Sequence, residues 1–221
     1  MKKIVLILIL LCFVVGCSKE KEYENESNNE KEVFVLKKQN EDFDYIYFEN
    51  YKDVLLGEKK YVYKYPVINI RSEEIENINL ELKSFVVKSF KDANINDGIL
   101  SQGNIIDYDY YVTSKYITVI QKYYSYIDGI IGEELDNVFV ISLESGKLLS
   151  SDKILEYYGI DENKMFEMLR KQLKTEDVEF SIMNMKNEGY SLYINDDNKL
   201  VLIYYELTDV DSERKELVLE N

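Results

Sequence analysis

The chain contains no histidine, no tryptophan, one proline and only two cysteines among its 221 residues. The absence of histidine removes the commonest general base, the Ser–His and Cys–His nucleophile pairs, and the commonest ligand of transition metals. Both cysteines, Cys12 and Cys17, lie near the N-terminus. The rest of the chain therefore cannot form a disulfide, a thiolate nucleophile or a cysteine metal site. Its stability has to come from hydrophobic packing.

The N-terminus has the order of features that is typical of a secretory signal. Lys2 and Lys3 precede an apolar run over residues 4–15, which is shorter than the about 20 residues that a membrane-spanning helix needs. The run is followed by Val14-Val15-Gly16-Cys17, which resembles the lipobox of bacterial lipoproteins. This resemblance implies that residues 1–16 are a signal peptide and that the Cys17 thiol receives a diacylglyceryl group. An uncleaved N-terminal helix is the alternative.

The composition changes directly after Cys17. Residues 18–32 are polar and charged, with too little apolar surface to fold. We expect residues 17–32 to be a lipidated cysteine with a flexible acidic tether. Residues 33–221 are expected to form a single α+β domain, divisible into halves 33–98 and 99–221. A diacylglyceryl group holds a protein on a bilayer without a transmembrane helix, so we expect the domain at the extracytoplasmic face of the cell membrane.

The net charge is strongly negative. Without Lys2 and Lys3 the 27 basic residues fall to 25 against 42 acidic ones, which gives residues 17–221 a charge of −17. Nucleic-acid binding needs basic patches, so we expect no nucleic-acid partner. A surface of this sign favours a cationic partner.

The hydrophobic patterns predict an antiparallel β-meander sheet with two main helices packed on it. Ser72 is a good N-cap, and the apolar residues after it recur at spacings of three and four, which is typical of a helix with one buried face. A second helix is expected after Asp161. β-Branched and aromatic segments predict strands, and they comprise residues 33–36, 43–48, 61–70, 105–112, 116–126, 137–143, 180–182, 190–194, 199–207 and 216–219.

The order of these elements resembles that of a known family over residues 61–219. Tyr65-Pro66-Val67-Ile68, followed by a helix with Ile78-Asn79, is similar to the start of the extracellular domain of RsiV-type anti-sigma factors and of the accessory region of PdaC-type peptidoglycan deacetylases. The turn Ser145-Gly146-Lys147 and the Tyr-rich final hairpin are also similar in kind. The segment of many members that contains His-Pro corresponds here to residues 124–134, which lack the His-Pro pair.

The resemblance implies an α+β domain that binds a ligand at the cell envelope. In RsiV-type proteins that ligand is lysozyme, which is a cationic protein. Those proteins carry a cytoplasmic sigma-binding segment and a transmembrane helix, whereas this chain carries a lipobox. The resemblance and the negative charge together suggest a cationic protein, such as a lysozyme, as the ligand.

Two tyrosine clusters are the candidate ligand-binding residues. Tyr108 and Tyr110 lie in one predicted strand, and Tyr124 and Tyr126 lie in the next. Tyrosine is enriched at binding surfaces because its ring offers a large, rigid and amphipathic contact. The alternative is that half of each cluster packs in the core while the other half covers a sheet face.

The acidic residues offer a second functional hypothesis. Asp107 and Asp109 alternate with tyrosines, so both carboxylates face one side of a strand. A cell-wall carbohydrate-acting enzyme would use such paired carboxylates, but the solvated face of a half-buried strand is the simpler interpretation. A structural envelope lipoprotein is a third hypothesis. We therefore predict a non-catalytic, membrane-anchored binding lipoprotein, with no catalytic residues, no metal and no cofactor.

Overall fold

A computed structural model describes residues 37–173, 178–207 and 212–219. The predicted signal peptide (residues 1–16), Cys17 and the predicted acidic tether lie outside these residues. All the described residues belong to one compact unit, residues 34–221.

Two sheets and four helices make up the described part of the chain. The strands are β1 (Ile46–Leu56), β2 (Lys59–Ile68), β3 (Asn94–Asn96), β4 (Ile99–Val112), β5 (Tyr116–Ile127), β6 (Ile130–Ser142), β7 (Ser191–Ile194), β8 (Leu200–Leu207) and β9 (Ser212–Val218). The helices are α1 (Glu73–Asp92), α2 (Ser151–Tyr157), α3 (Glu162–Leu173) and α4 (Val178–Glu188). The larger sheet has the order β2-β1-β4-β5-β6 with β3 paired to β4, and the smaller has the order β7-β8-β9.

The larger sheet is mixed rather than purely antiparallel. Strands β4, β5 and β6 form the expected antiparallel meander. Strand β1, however, runs parallel to β4 and meets it at a single register pair, Leu55 with Ile99. Backbone pairing therefore joins the β1–β2 hairpin to the meander at one end only.

Helix α1 lies where the spacing of apolar residues after Ser72 predicts a helix. Its buried positions include Ile75, Ile78, Leu82 and Val86, which follow the three- and four-residue spacing of one helix face. Ser72 is the N-cap residue, but its hydroxyl does not cap the helix. It donates instead, at 3.4 Å, to the carbonyl of Gly146, a residue that follows the end of β6.

Strands β5 and β6 separate two hydrophobic cores. Ile117 and Val119 pack in the core that contains α1 and the β1–β2 hairpin. Tyr116 and Ile120 pack in the other core, with helices α2–α4 and the smaller sheet. Between them the Thr118 hydroxyl donates to the Ile194 carbonyl of β7 at 2.8 Å. Residues 116–121 are all buried, because each side of the strand faces a core.

The α+β class is confirmed, and the helices expected after Ser72 and Asp161 are present as α1 and α3. The described residues contain four helices, however, rather than two. The clearest error is α4, because the sequence pattern predicts a strand over residues 180–182. The buried residues of α4, Val178, Ser181, Ile182 and Met185, follow a spacing of three, one and three, which is helical. Three residues are too few to distinguish this spacing from the alternation of a strand.

Candidate functional site

The hydroxyls of two tyrosines bridge the gap between β2 and β4. The Tyr61 hydroxyl donates to the Ile106 carbonyl at 3.0 Å and accepts the Ile106 N–H at 2.6 Å. The Tyr63 hydroxyl donates to the Asn104 carbonyl at 3.0 Å. These side chains satisfy backbone groups of β4 that would otherwise need a neighbouring strand. Burial raises the pKa of Tyr61, so this phenol stays protonated.

A cleft of about 540 Å³ opens where the two strands part. This volume lies within the range of small-ligand sites, roughly 300–1,000 Å³. We call it the β2–β4 cleft, and it is lined by Asn50, Lys60, Tyr61, Val62, Lys64, Ile105, Ile106, Asp107, Tyr124 and Ile131.

The charged groups of the cleft are divided by sign between its two walls. Strand β2 contributes two ammonium groups, and β4 contributes the exposed carboxylate of Asp107. The Lys60 ammonium is 2.8 Å from the Asp53 carboxylate, whereas the Lys64 ammonium lies 4.9 Å from the centre of the Phe48 ring. One oxygen of Asp107 accepts the Tyr108 N–H at 2.9 Å, which fixes the carboxylate at the wall.

An ion-pair network lies beside the β4 wall. Its cations are Lys122 and Arg214, and we call the whole set the acidic network because four carboxylates surround them. The pairs are Lys122 with Asp109 (2.5 Å) and Glu134 (3.7 Å), and Arg214 with Glu134 (3.3 Å), Asp136 (2.5 Å) and Glu216 (2.6 Å). Four carboxylates against two cations leave an excess of negative charge next to the cleft.

Asp136 is the most enclosed carboxylate of the network. Its side chain is 2 % exposed, and its Oδ1 atom has no hydrogen-bond partner among the described residues. Burial raises the pKa of Asp136, and this outweighs the lowering effect of Arg214. The Oε1 atom of Glu134 also lacks a hydrogen bond within the described part of the chain, although it makes the 3.3 Å ionic contact with Arg214. The network thus retains buried negative charge that its own cations do not fully compensate.

The four candidate tyrosines do not form one surface. Tyr108 and Tyr126 are buried in the core that contains α1, and the Tyr108 hydroxyl accepts a hydrogen bond from the Gln121 amide at 3.0 Å. Tyr110 is 47 % exposed and lies outside the cleft lining. Tyr124 alone among the four lines the cleft, where burial, with Glu134 nearby, raises its pKa to about 12.

The two aspartates of β4 do share one face, but their surroundings differ. Asp107 lines the cleft, while Asp109 is held by Lys122 in the acidic network. Sequence reasoning missed Tyr61 and Lys64 as site residues. The alternation Tyr61-Val62-Tyr63-Lys64 did predict a strand, but nothing local indicates that its tyrosines reach the backbone of β4, 41 to 45 residues later.

Two kinds of feature are absent from the part of the chain that the structure describes. Its carboxylate side chains form no group of three or more that could hold a metal ion. None of the helices within residues 37–173, 178–207 and 212–219 is long and apolar enough to cross a bilayer.

Comparison of the sequence with protein-family models found no match. Comparison with curated proteins found no significant match either.

Proposed function

We propose that this protein is a lipid-anchored, extracytoplasmic binding protein without catalytic activity, whose ligand enters the β2–β4 cleft. The observation that carries the proposal is the cleft itself. Its wall is held by the hydroxyl of Tyr61, which is bonded to both backbone groups of Ile106. A site fixed in this way before the ligand arrives loses little conformational freedom on binding. The anchor would be Cys17, by the resemblance of residues 14–17 to a lipobox.

The ligand would carry positive charge. The acidic network leaves four carboxylates against two cations beside the Asp107 wall, and residues 17–221 carry the charge of −17 derived above. The resemblance to RsiV-type domains points to a cationic protein such as a lysozyme. Complementary charge of this kind accelerates association and makes it sensitive to salt.

The positions of the carboxylates support binding over carbohydrate hydrolysis. A glycosidase needs two carboxyl groups that flank a bound sugar, roughly 5–10 Å apart. Asp109, Glu134 and Asp136 are instead tied to Lys122 or Arg214. Among the described residues that line the cleft, Asp107 is the single acidic one.

The binding proposal is tested with lysozyme and the full-length chain in detergent. We expect association at about 0.01 M salt that weakens at about 0.1 M, where the screening length falls from about 30 Å to about 10 Å. The variant Asp107→Asn should bind more weakly, and Asp92→Asn, an exposed residue that does not line the cleft, should bind like the wild type. No salt-sensitive binding would refute the cationic partner, and equal binding by both variants would remove the cleft from the interaction.

The anchor is tested separately by mass spectrometry of protein extracted from native membranes. We expect a mature N-terminus at Cys17 that carries a diacylglyceryl group. An unmodified Cys17, or a chain that retains residues 1–16, would refute the lipid anchor.

A further inference from the structure

The β2 wall of the β2–β4 cleft offers an available cation. The Lys60 ammonium is neutralised by Asp53 at 2.8 Å. Lys64 is half-buried, and its ammonium contacts the Phe48 ring. No ion pair joins Lys64 to any carboxylate that the structure describes. Lys64 therefore keeps its charge available to a ligand that carries an anionic group.

The opposite wall offers the complementary charge. Asp107 is exposed and lines the cleft. The Tyr108 N–H bonds to its Oδ1 atom only, so the other carboxylate oxygen can accept a hydrogen bond from a ligand. Behind it, the acidic network contains more carboxylates than cations. Tyr124 lines the cleft and interacts with Glu134 of that network. This wall therefore attracts a cationic group.

Apolar and aromatic side chains lie between these charges. Tyr61, Val62, Ile105 and Ile131 all line the cleft, and Ile131 is 59 % exposed. A ligand with a short aliphatic part between its two ionic groups would bury that part against these side chains.

We propose that the β2–β4 cleft binds a small zwitterion of the amino-acid or short-peptide class. The ammonium group of the ligand lies toward Asp107 and its carboxylate lies toward Lys64. A small ligand that carries only a cation would be repelled by Lys64, and a small ligand that carries only an anion would be repelled by Asp107 and the acidic network. The inference rests on the proposed function because it takes the same cleft as the binding site, and it does not require that a cationic protein also binds there.

The test uses three forms of one dipeptide, titrated into the full-length chain in detergent and followed by calorimetry. Alanyl-alanine carries both charges, its N-acetyl derivative carries only the anion, and its C-terminal amide carries only the cation. We expect alanyl-alanine to bind, and each capped form to bind at least about tenfold more weakly, because each loses one charge-assisted contact.

Matched variants assign the two contacts. Asp107→Asn and Lys64→Gln should each weaken the binding of alanyl-alanine by about tenfold. Asp92→Asn and Lys59→Gln, which change exposed residues that do not line the cleft, should leave it unchanged. Asp107→Asn should bind the N-acetyl derivative more tightly than the wild type does, because the carboxylate that repels this anion is gone. Its affinities for the N-acetyl derivative and for alanyl-alanine should therefore become similar. Tighter binding of the N-acetyl derivative is not expected of a variant that merely disturbs the fold.

Each outcome bears on one proposal. If either capped form binds as tightly as alanyl-alanine, or if none of the three forms binds, the zwitterion inference is overturned. Salt-sensitive binding of lysozyme would still support the proposed function in that case. If alanyl-alanine binds through both charges and lysozyme does not bind, the zwitterion inference stands and the cationic protein partner is rejected.

Discussion

Removal of the Tyr61 hydroxyl tests how the β2–β4 cleft is held. In the variant Tyr61→Phe the ring remains, but both hydrogen bonds to Ile106 are lost. Tyr63→Phe is a matched control on the same strand, since its hydroxyl makes one hydrogen bond, to the Asn104 carbonyl. The two variants remove the same atom and differ in the number of backbone groups left without a partner.

The expected effect follows from the number of bonds. A hydrogen bond contributes about 0.5–1.5 kcal/mol net to stability. Tyr61→Phe should therefore lower the free energy of unfolding by about 1–3 kcal/mol, and Tyr63→Phe by about half as much. Urea denaturation of both variants and the wild type measures this difference, and the slope of the unfolding free energy with urea should stay constant.

Hydrogen exchange at the Ile106 amide gives a more local measurement. This N–H donates to the Tyr61 hydroxyl, so its exchange should become faster in Tyr61→Phe by more than global destabilisation alone produces. In Tyr63→Phe it should change only as much as the global stability does. If the Ile106 amide exchanges equally in the two variants, or if Tyr61→Phe is no less stable than Tyr63→Phe, the assignment of the bridging role to Tyr61 is refuted.

Two further predictions concern the acidic network and the β5–β6 hairpin. Burial raises the folded-state pKa of Asp136 above its ordinary 3.8, so the stability that its proton contributes is largest below the unfolded pKa and is lost as the pH rises through the folded one. The wild type should therefore become less stable relative to Asp136→Asn as the pH rises above about 3.8. A stability difference that does not change with pH would contradict this assignment. At the bulge of the hairpin, a Cβ atom at Gly132 would collide with the Ser125 hydroxyl. Gly132→Ala should lower the free energy of unfolding by about 1 kcal/mol, and Ser125→Ala should restore it in the double variant, whereas additive losses would exclude the collision as the cause.

Local patterns predict those elements whose buried residues lie close together in sequence. The stripe from Ile75 to Val86 predicts the position of α1, because one helix face meets one core. The sequence also predicts a helix after Asp161, and the carboxylate of this residue does accept the Lys164 N–H at 2.8 Å at the start of α3. The meander from β4 to β6 is equally visible, since its strands follow each other through short turns.

The site depends on contacts that no local pattern encodes. Tyr61 meets Ile106 across 45 residues, and Arg214 meets Asp136 across 78 residues. The alternation of residues in β4 correctly predicts that Asp107 and Asp109 share one face. That Asp109 is held in an ion pair while Asp107 lines the cleft depends on Lys122 in the neighbouring strand. Likewise, the buried position of Tyr108 follows from Gln121 and from the placement of α1 rather than from its own strand.

The burial of residues 116–121 on both sides has a consequence for evolution. In most strands one side faces solvent and accepts many different polar residues during evolution. Homologous sequences of such a strand therefore keep only an alternation of apolar and polar positions. Neither the odd nor the even positions of this segment offer such freedom, because Ile117 and Ile120 support different cores. Distant homologues of this chain should therefore be recognised by an uninterrupted run of six positions without charged residues, followed by the Lys122 position where charge is first accepted.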